Sequence, residues 1–411
     1  MSTPTGIHTQ VRQRHEARVL SALRVEGPLT RAELSARAGL SRTTLSEITG
    51  SLLKRGAIII AATDAAGRAG SGRPAEVLAL DPASGQFLGV DFGHRRVRVA
   101  LADASHAVIA SGVQGYPDST DWDGRLAIAF DLIDRLSGET GVHYGALQAI
   151  GIGVPGPYTR HGGNVALINH ENLAPADVDL QFSERFGAPV TIDNNTRLAA
   201  LAEAIHAKRE AHGDLIYMRV SDGVGGGLVV NGQLVGGARG LAGELGHVTL
   251  DPHGRLCRCG KRGCLETVAS VPAILSDMRE RGEQVDSLED LRIVLASDVP
   301  NPVVEDVLRN AGAAIGRILG ATSMTLNPAE VVIGGEITSI APVLVAQAEA
   351  SLQEQMYRLP LGQEVVVRAG VLQDSEGAVG AIAAVLYQTP LLAGYSELDF
   401  TPEQTHQRSI R

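Results

Sequence analysis

The chain is poor in aromatic residues, cysteine and lysine, and it lacks a long apolar run. Phe, Trp and Tyr make up 3% of its 411 residues, so a site that stacks sugars or bases on aromatic rings is not expected. No segment approaches the ~18 consecutive apolar residues of a membrane-spanning helix. The opening stretch MSTPTGIHTQVRQRHEAR carries no apolar signal region. These absences point to a cytoplasmic protein with no membrane partner. Lysine occurs 3 times against 33 arginines, a bias that reads as genome composition and not as mechanism. Hydrophobic residues, at 44%, are enough for a sizeable core. The length suggests two or three domains at ~150 residues each.

The scarce cysteines are not scattered. All three lie in the string His247-Val-Thr-Leu-Asp-Pro-His-Gly-Arg-Leu-Cys257-Arg-Cys259-Gly-Lys-Arg-Gly-Cys264. Three thiolates and one imidazole are a complete tetrahedral set for a structural zinc ion. Free cysteines are often small buried hydrophobes, but Arg258, Lys261 and Arg262 between them resist burial. A disulfide would leave an odd thiol. The expected cofactor is therefore one structural Zn2+ on His247, Cys257, Cys259 and Cys264.

The net charge of −10 conceals an asymmetry, because residues 1–80 carry +5 and the remainder −15. A small basic module on an acidic body reads as a nucleic-acid-binding domain attached to something that does not bind nucleic acid. The apolar positions Val11, Ala17, Val19, Leu20 and Leu23 before Gly27-Pro28 predict a helix over 11–26. Thr30 followed by Glu33 has the spacing of a capping box opening a second helix over 31–37, which ends at Ala38-Gly39-Leu40. Ser41 caps a third helix over 42–55, with Leu45, Ile48, Leu52 and Leu53 on one face and Arg42, Thr43, Thr44, Ser46 and Glu47 opposite. This is a helix-turn-helix pattern, whose second helix enters the major groove by its first turns. Ile58-Ile59-Ile60 and Val77–Leu80 then flank a glycine- and arginine-rich tip, a wing from which Arg68 and Arg73 reach phosphates or the minor groove. The candidate DNA contacts are Arg42, Thr43, Thr44, Ser46, Arg68 and Arg73. The competing reading of residues 1–80 is a three-helix module that binds protein.

Residues 85–390 alternate strands and helices. Strands are predicted over 86–91, 97–102, 149–157, 214–220, 228–230 and 327–333, and helices over 124–137, 196–206, 302–326 and 340–357. Two strand–turn–strand units, one turning at Phe92-Gly93-His94 and one at Ser221-Asp222-Gly223, make two similar α/β halves with a cleft between them. Gly223-Val-Gly225-Gly226-Gly227 reads as a tight turn. Residues 391–411 are polar and read as a flexible tail.

The run Leu241-Ala-Gly-Glu244-Leu-Gly-His247, followed by Cys257-x-Cys259-Gly-x-x-Gly-Cys264-Leu-Glu266, closely resembles the signature of the ROK family of sugar-responsive repressors and sugar kinases. The resemblance spans nearly the whole chain, including the amino-terminal winged helix-turn-helix of the repressor branch. It implies a two-lobed hexokinase/actin-like (ribonuclease H-like) α/β domain carrying a zinc loop. It also implies sugar contacts at Asn194, Asn195, Glu244, His247 and Glu266. Amides and carboxylates supply the paired donors and acceptors that hydroxyls need, and a zinc-bound His247 has a second nitrogen to offer. The alternative for Glu244 and Glu266 is that they brace the zinc loop.

Three departures from the kinase pattern bear on activity. The resemblance implies a general base at the position of Asn195, and an amide has no useful basicity, which forfeits ~10²–10⁴ in rate. Asp193, one register earlier in the strand, would point to the other side and could replace it only if the turn shifted. The first turn reads Asp91-Phe92-Gly93-His94-Arg95, without the second glycine and the threonine of a phosphate hairpin, although Arg95 and Arg96 can attract an anion. The second turn carries Asp222, a negative charge where phosphates would sit. The expectation is a non-enzymatic, sugar-responsive transcriptional regulator of the repressor type. It would bind operator DNA as a homodimer or higher homo-oligomer and sense a monosaccharide or sugar phosphate. The alternatives are an ATP-dependent sugar kinase that carries a DNA-binding domain, and a DNA-binding scaffold that needs no ligand.

Overall fold

The structure is a computed structural model. It describes residues 12, 15–16, 18–20, 22–23, 26–54, 57–64, 75–81, 86–103, 108–140, 147–156, 158–159, 163–164, 174–175, 177–206, 214–297, 299–357, 365–371 and 376–388. They fall chiefly into two compact units, one within the first 85 residues and the other made of Gln86–Ala102 and Ala107–Val385.

In the first unit, the described residues between 12 and 26 are helical, and Val19, Leu20 and Leu23 are buried. Strand β1 (Leu29–Thr30) leads into α1 (Arg31–Ala38) through the expected capping box: Thr30 Oγ1 accepts from Glu33 N while the Glu33 carboxylate accepts from Thr30 N. Gly39 closes α1 in the left-handed region at φ 57°, which glycine adopts without a steric penalty. Ser41 Oγ accepts from Thr44 N at 3.2 Å and starts α2 (Arg42–Lys54). Strands β2 (Ile58–Asp64) and β3 (Ala75–Leu80) pair antiparallel, with an irregularity between Ile60 and Ala62. The sheet order is β1-β3-β2, so β1 adds a third strand that the sequence reading lacks. The buried face of α2 is Leu45, Ile48, Thr49 and Leu52, with Leu53 only half-buried. Thr49 earns its place by hydrogen bonding, since its hydroxyl donates to Leu45 O and accepts from Arg31 Nη1 at 2.6 Å. Arg31 also bonds Glu76 on β3, tying both helices to the hairpin. The wing tip with Arg68 and Arg73 lies outside the described residues.

The second unit holds two five-stranded sheets of the same plan. In the first lobe, β4 (Gln86–Phe92), β5 (Arg96–Asp103) and β6 (Val108–Gly115) form a meander, and α3 is Trp122–Thr140. Strand β7 (Leu147–Val154) pairs parallel with β4. A small hairpin β8 (Tyr158–Thr159) and β9 (Gly163–Asn164) follows, then α4 (Val178–Phe186). Strand β10 (Val190–Asn194) pairs parallel with β7, giving the order β10-β7-β4-β5-β6. Helix α5 (Asn195–His206) crosses to the second lobe.

There β11 (Leu215–Val220), β12 (Val224–Val230) and β13 (Gln233–Leu234) form the matching meander. After α6 (Glu266–Ala269), α7 (Val271–Glu280), α8 (Leu288–Leu295) and the long α9 (Pro302–Leu326) comes β14 (Glu330–Gly334), parallel to β11. Helices α10 (Ile337–Ile340) and α11 (Pro342–Gln353) precede β15 (Val366–Ala369). Helix α12 (Glu376–Gln388) packs its alanines against Leu198 and Leu201 of α5. The observed α9 has the bounds the sequence predicts, whereas the segment read as one helix over 340–357 is helical only from Pro342 to Gln353, after Ala341 breaks it from α10.

The glycine run needs a correction. Only Ser221–Gly223 turns, and Gly225, Gly226 and Gly227 lie inside β12. They are small because neighbours press on the strand: a Cβ there would come to 2.6 Å from Thr196 Oγ1, 2.4 Å from Gly243 O and 2.5 Å from Ala200 Cβ respectively. Those contacts seat α5 and the segment before Glu244 on β12, which brings the site together.

Candidate functional site

A cavity of about 660 Å³ is lined from both lobes, among others by His94, Arg95, Arg96 and Arg98 of the first, Asn194 and Asn195 at the β10–α5 junction, and Arg219, Asp222, Glu244, His247, Arg258 and Glu266 of the second. All five residues proposed from the sequence for sugar contact line it. The size suits a small ligand.

Asn194 ends β10 and works as a helix cap. Its Oδ1 accepts from Thr196 N (2.9 Å) and Arg197 N (3.2 Å), and its Nδ2 donates to Gly156 O. Both acceptor lone pairs are committed, which leaves one amide hydrogen for a ligand. Asn195 Nδ2 donates to Phe92 O at 3.1 Å, across the lobe, and its Oδ1 lies 3.4 Å from Thr196 Oγ1. Asp193 does not line the cavity; its carboxylate pairs with Arg197 Nη1 at 3.1 Å, with both side chains buried.

Glu244 opens a single 3-10 turn, Leu245–His247, in which His247 N donates to Glu244 O. Burial, reinforced by the charge of Glu266 and opposed by Arg197 and Arg258, raises the Glu244 carboxyl to about 7. Glu266 begins α6 and is buried. Its Oε2 accepts from Val224 N (3.1 Å) and from Arg258 Nη2 (2.7 Å). Glu266 therefore does brace the second turn, while its Oε1 lies 3.8 Å from Cys257 Sγ. Both roles read for this residue from the sequence are open to its two oxygens.

Arg258 is the functional candidate that the sequence reading missed. It stands between two cysteines, where it looks like one of several surface charges of the loop. In three dimensions its guanidinium reaches into the cavity and covers Gly223, where an added Cβ would lie 2.4 Å from Arg258 Nη2. No signal along the chain marks it, because the partner that fixes it, Glu266, is held there by Val224 of another strand.

Next to the cavity, His247, Cys257, Cys259 and Cys264 bring their ligand atoms within 4.8 Å of one another. Cys257 Sγ is 3.6 Å from His247 Nδ1, and Cys259 Sγ is 3.6 Å from Cys264 Sγ. These spacings fit the edges of a tetrahedron, since metal–sulfur bonds of ~2.3 Å imply sulfur–sulfur edges of roughly 3.8 Å. The cluster is built by a tight loop: Gly260 N donates to Cys257 O, Cys257 N to Lys261 O, and Lys261 Nζ to His247 O. Gly263, at φ 62°, lets the chain fold back on Asp251, whose carbonyl oxygen would collide with any Cβ there. Burial pushes the Cys257 thiol up to about 12, opposed by a hydrogen bond from the Cys259 backbone and reinforced by the Cys259 side chain and the carboxylate of Glu266. Three crowded thiols resist ionising together, and a metal cation that takes thiolates would relieve this. The donor set thus fits a metal held by His247 through Nδ1 and by the three sulfurs.

The opposite wall is His94. Burial, with the charges of Arg258 and Arg125, holds its imidazole below the ordinary histidine value, against the pull of Asp222 and Asp118. In the first unit, Arg42, Thr43 and Ser46 are exposed on α2, but Thr44 is half-buried with its hydroxyl 2.8 Å from Ser41 Oγ. Of these four, Thr44 has the least to offer a base. No helix among the described residues is long and apolar enough to cross a membrane.

The profile of the ROK family matches residues 87–388. The chain is 26% identical over 394 residues to the xylose repressor of Caldicellulosiruptor bescii, covering 93% of this chain and 97% of that one. It is 27% identical over 382 residues to the N-acetylglucosamine repressor of Escherichia coli O157:H7, covering 91% and 93%. Among solved structures it is similar to a ROK family transcriptional regulator described as a homologue of the E. coli MLC protein, with a TM-score of 0.73, 27% identity, and 92% and 97% of the two chains covered. A ROK family glucokinase from Streptomyces griseus, solved with glucose and AMPPNP, shares the fold over 73% of this chain and 99% of its own, at a TM-score of 0.62 and 22% identity.

Proposed function

This chain belongs to the ROK family, and on that premise we propose that it is a sugar-responsive transcriptional regulator of the repressor type. The observation that carries the reading is the occurrence, in one chain, of a helix-turn-helix unit and a cavity lined by Asn194, Asn195, Glu244, His247 and Glu266; on this reading the amide of Asn195 stands where a kinase would need a base. Residues 1–80 form the DNA-binding domain, 85–390 the sensing domain and 391–411 a tail. Arg42, Thr43, Thr44 and Ser46 meet operator DNA, together with Arg68 and Arg73 of the wing. The protein acts as a homodimer or higher homo-oligomer, so that two recognition helices read a two-fold symmetric site.

Glu244, Glu266, His247, Asn194 and Asn195 bind the effector. The carboxylates accept from hydroxyls, and the remaining amide hydrogen of Asn194 donates. Zinc is the metal of the Cys–His cluster. It would lock the loop that carries His247 and Arg258 and leave His247 Nε2 for the cavity side. Phosphoryl transfer is not part of this function. Asn195 is tied to Phe92 O, Asp193 is paired with Arg197 outside the cavity, and Arg258 covers the second turn. The effector changes DNA affinity because it binds the DNA-bound and free conformations unequally, since a ligand with equal affinity for both shifts nothing.

The test is fluorescence anisotropy of the full chain on duplexes selected from a random pool, repeated with xylose, glucose, N-acetylglucosamine and their monophosphates. Release of DNA, or tightened binding, by one sugar class is the expected result. High-affinity DNA binding that no sugar alters would leave the ligand-independent scaffold. ATP consumption with any of these sugars would favour the kinase.

A further inference from the structure

Glu244 reaches the cavity on a segment that has little to hold it. Between β13 and the turn at Leu245–His247 the chain forms no helix or strand. No residue from Val235 to Ala242 is buried, and Gly237 and Gly240 take left-handed backbone at φ 68° and 70°. The two ends are fixed by backbone contacts: Val235 N donates to Leu228 O, and Gly243 lies against the backbone of Gly226 in β12. The bonds from Gly240 N to Gly237 O and from Ala242 N to Gly236 O stay within the segment. Its middle is tied to another element by a side chain, Arg197 of α5, whose Nη1 donates to Gly240 O at 3.3 Å. A Cβ on Gly236 would lie 3.2 Å from Arg197 Nη2, so the guanidinium lies along the segment from Gly236 to Gly240.

Arg197 is itself held firmly. It stands in the first turn of α5, where its backbone N donates to Asn194 Oδ1, and its side chain is 7% exposed. Its Nη1 also pairs with Asp193 Oδ1 at 3.1 Å, an oxygen that accepts from Asn194 N at 2.7 Å. Neither Asp193 nor Arg197 lines the cavity. A buried ion pair adds little stability that apolar residues of similar size could not supply. What apolar residues could not do here is hold Gly240 O. Burial raises the Glu244 carboxyl, and the charge of Arg197 opposes that rise, so the same guanidinium favours the anion that accepts from hydroxyls.

We propose that Arg197, aimed by Asp193, is a positioning residue for effector binding: it orders the segment 236–243 so that Glu244 presents its carboxylate to the cavity. The proposal rests on the sugar-sensing reading above and adds to it a residue that does not touch the ligand. Asn194 and Asn195 line the cavity from the same helix start. One turn of chain thus sets both a ligand-facing amide pair and the anchor of the segment that carries Glu244. A guanidinium suits this task because its planar fork serves a carboxylate and a carbonyl oxygen together.

The experiment is isothermal titration of the full chain, zinc-loaded, with xylose, glucose, N-acetylglucosamine and their monophosphates. The unaltered protein is compared with a double variant, Asp193→Asn with Arg197→Met, which removes both charges and leaves neither buried alone. The double variant should keep its circular dichroism spectrum and its zinc, yet bind the tightest compound of the panel at least ~10-fold more weakly. Arg197→Lys keeps a charged donor for Asp193 and Gly240 and should hold affinity to within about threefold. With Glu244→Gln already in place, the double change should cost no more than about threefold, because Arg197 acts through that carboxylate. Unchanged affinity in the double variant overturns the proposal and leaves sugar sensing intact. So does an equal loss with and without the Glu244 carboxylate, which is the mark of a general structural role. Should the double variant fail to fold, Arg197→Gln, whose amide still donates to Asp193, takes its place at the same thresholds. A panel in which nothing binds the unaltered protein overturns the sensing reading. Hydrogen exchange over 236–244 then decides for Arg197: faster exchange in the double variant supports the anchor, and unchanged exchange overturns it.

Discussion

Among the described residues, large aromatic side chains gather in the first lobe. Phe92, Trp122, Phe182 and Phe186 are in its core, with Phe130 packed against them and ring centroids 4.9 to 6.4 Å apart. The main core of the second lobe has the same strand order beside it and is wholly aliphatic apart from its methionines, from Ile216 and Met218 through Ile274, Leu308 and Ile315 to Leu352. The second lobe also carries the Cys–His loop and most of the candidate sugar contacts. One topology is thus stabilised in two ways. The aromatic lobe depends on large rings in tilted and edge-to-face contact. In the second lobe, long helices bury the sheet well, but the segment 244–264 has little apolar area of its own: Val248 and Leu256 in it are exposed. A loop tied to the core only through Leu245 and Leu250 depends on its own hydrogen bonds, and a metal would fix it further.

The largest expected effect tests that difference. Stripping the metal with a chelator, or making Cys259→Ser, should unlatch the zinc loop and abolish effector binding, while the first lobe keeps its structure. Hydrogen exchange would show fast exchange over 244–266 and unchanged protection in β4 and β7, and metal analysis would give one zinc per chain lost. Uniform loss of protection in both lobes would break the comparison. The converse perturbation is Phe182→Ala. Truncating a fully buried ring costs about 3–5 kcal/mol, so the denaturation midpoint should fall strongly while zinc content stays at one per chain. A folded Phe182→Ala protein that also loses its zinc would show that the lobes do not stabilise their elements separately.

How far the sequence revealed this structure follows from the range of the interactions concerned. Features decided within a few residues were legible: the Thr30–Glu33 capping box, the Ser41 cap, the bounds of α9 between Pro302 and Asn327, and the Cys–His cluster. The five cavity residues were reached through the family resemblance, not through spacing. Features decided by partners far along the chain were not legible. Thr49 looks polar and surface-bound until Arg31 and Glu76 are seen to converge on its helix. Gly225–Gly227 look like a turn until α5 is seen against them. Arg98 and Arg219 sit in β5 and β11 like ordinary strand residues, and only the fold brings both to the buried carboxylate of Asp91.

A smaller effect separates the two units. Arg42 and Thr43 are exposed at the start of α2, so their loss should leave stability and sugar binding unchanged and act on DNA alone. Arg42→Ala should weaken binding to all sequences and reduce the slope of log affinity against log salt by about 0.9 for one lost phosphate contact. Thr43→Ala should instead shift which operator is preferred, by about 1–3 kcal/mol at the position it reads. Measured by anisotropy over a salt series, identical behaviour of the two variants would remove the distinction between a backbone and a base contact.

The smallest effect compares the two hairpin turns that face each other across the cavity, one carrying His94 and the other Asp222. Burial and the nearby Arg258 hold His94 below its ordinary value, so the folded protein keeps this imidazole neutral where an unfolded chain would begin to protonate it. The unfolded state then binds more protons than the folded one on the acid side of ~6.5, and stability must fall as pH is lowered through that window. The slope from one such group is at most about 1.4 kcal/mol per pH unit. His94→Gln removes the titrating group and keeps a polar side chain on the wall. Urea midpoints at pH 7.5 and pH 5.5 should therefore differ less in His94→Gln than in the unaltered protein. If both lose the same stability on acidification, the acid sensitivity lies elsewhere, and the pull of Asp222 outweighs the burial and the arginine charge that face His94 from the second lobe.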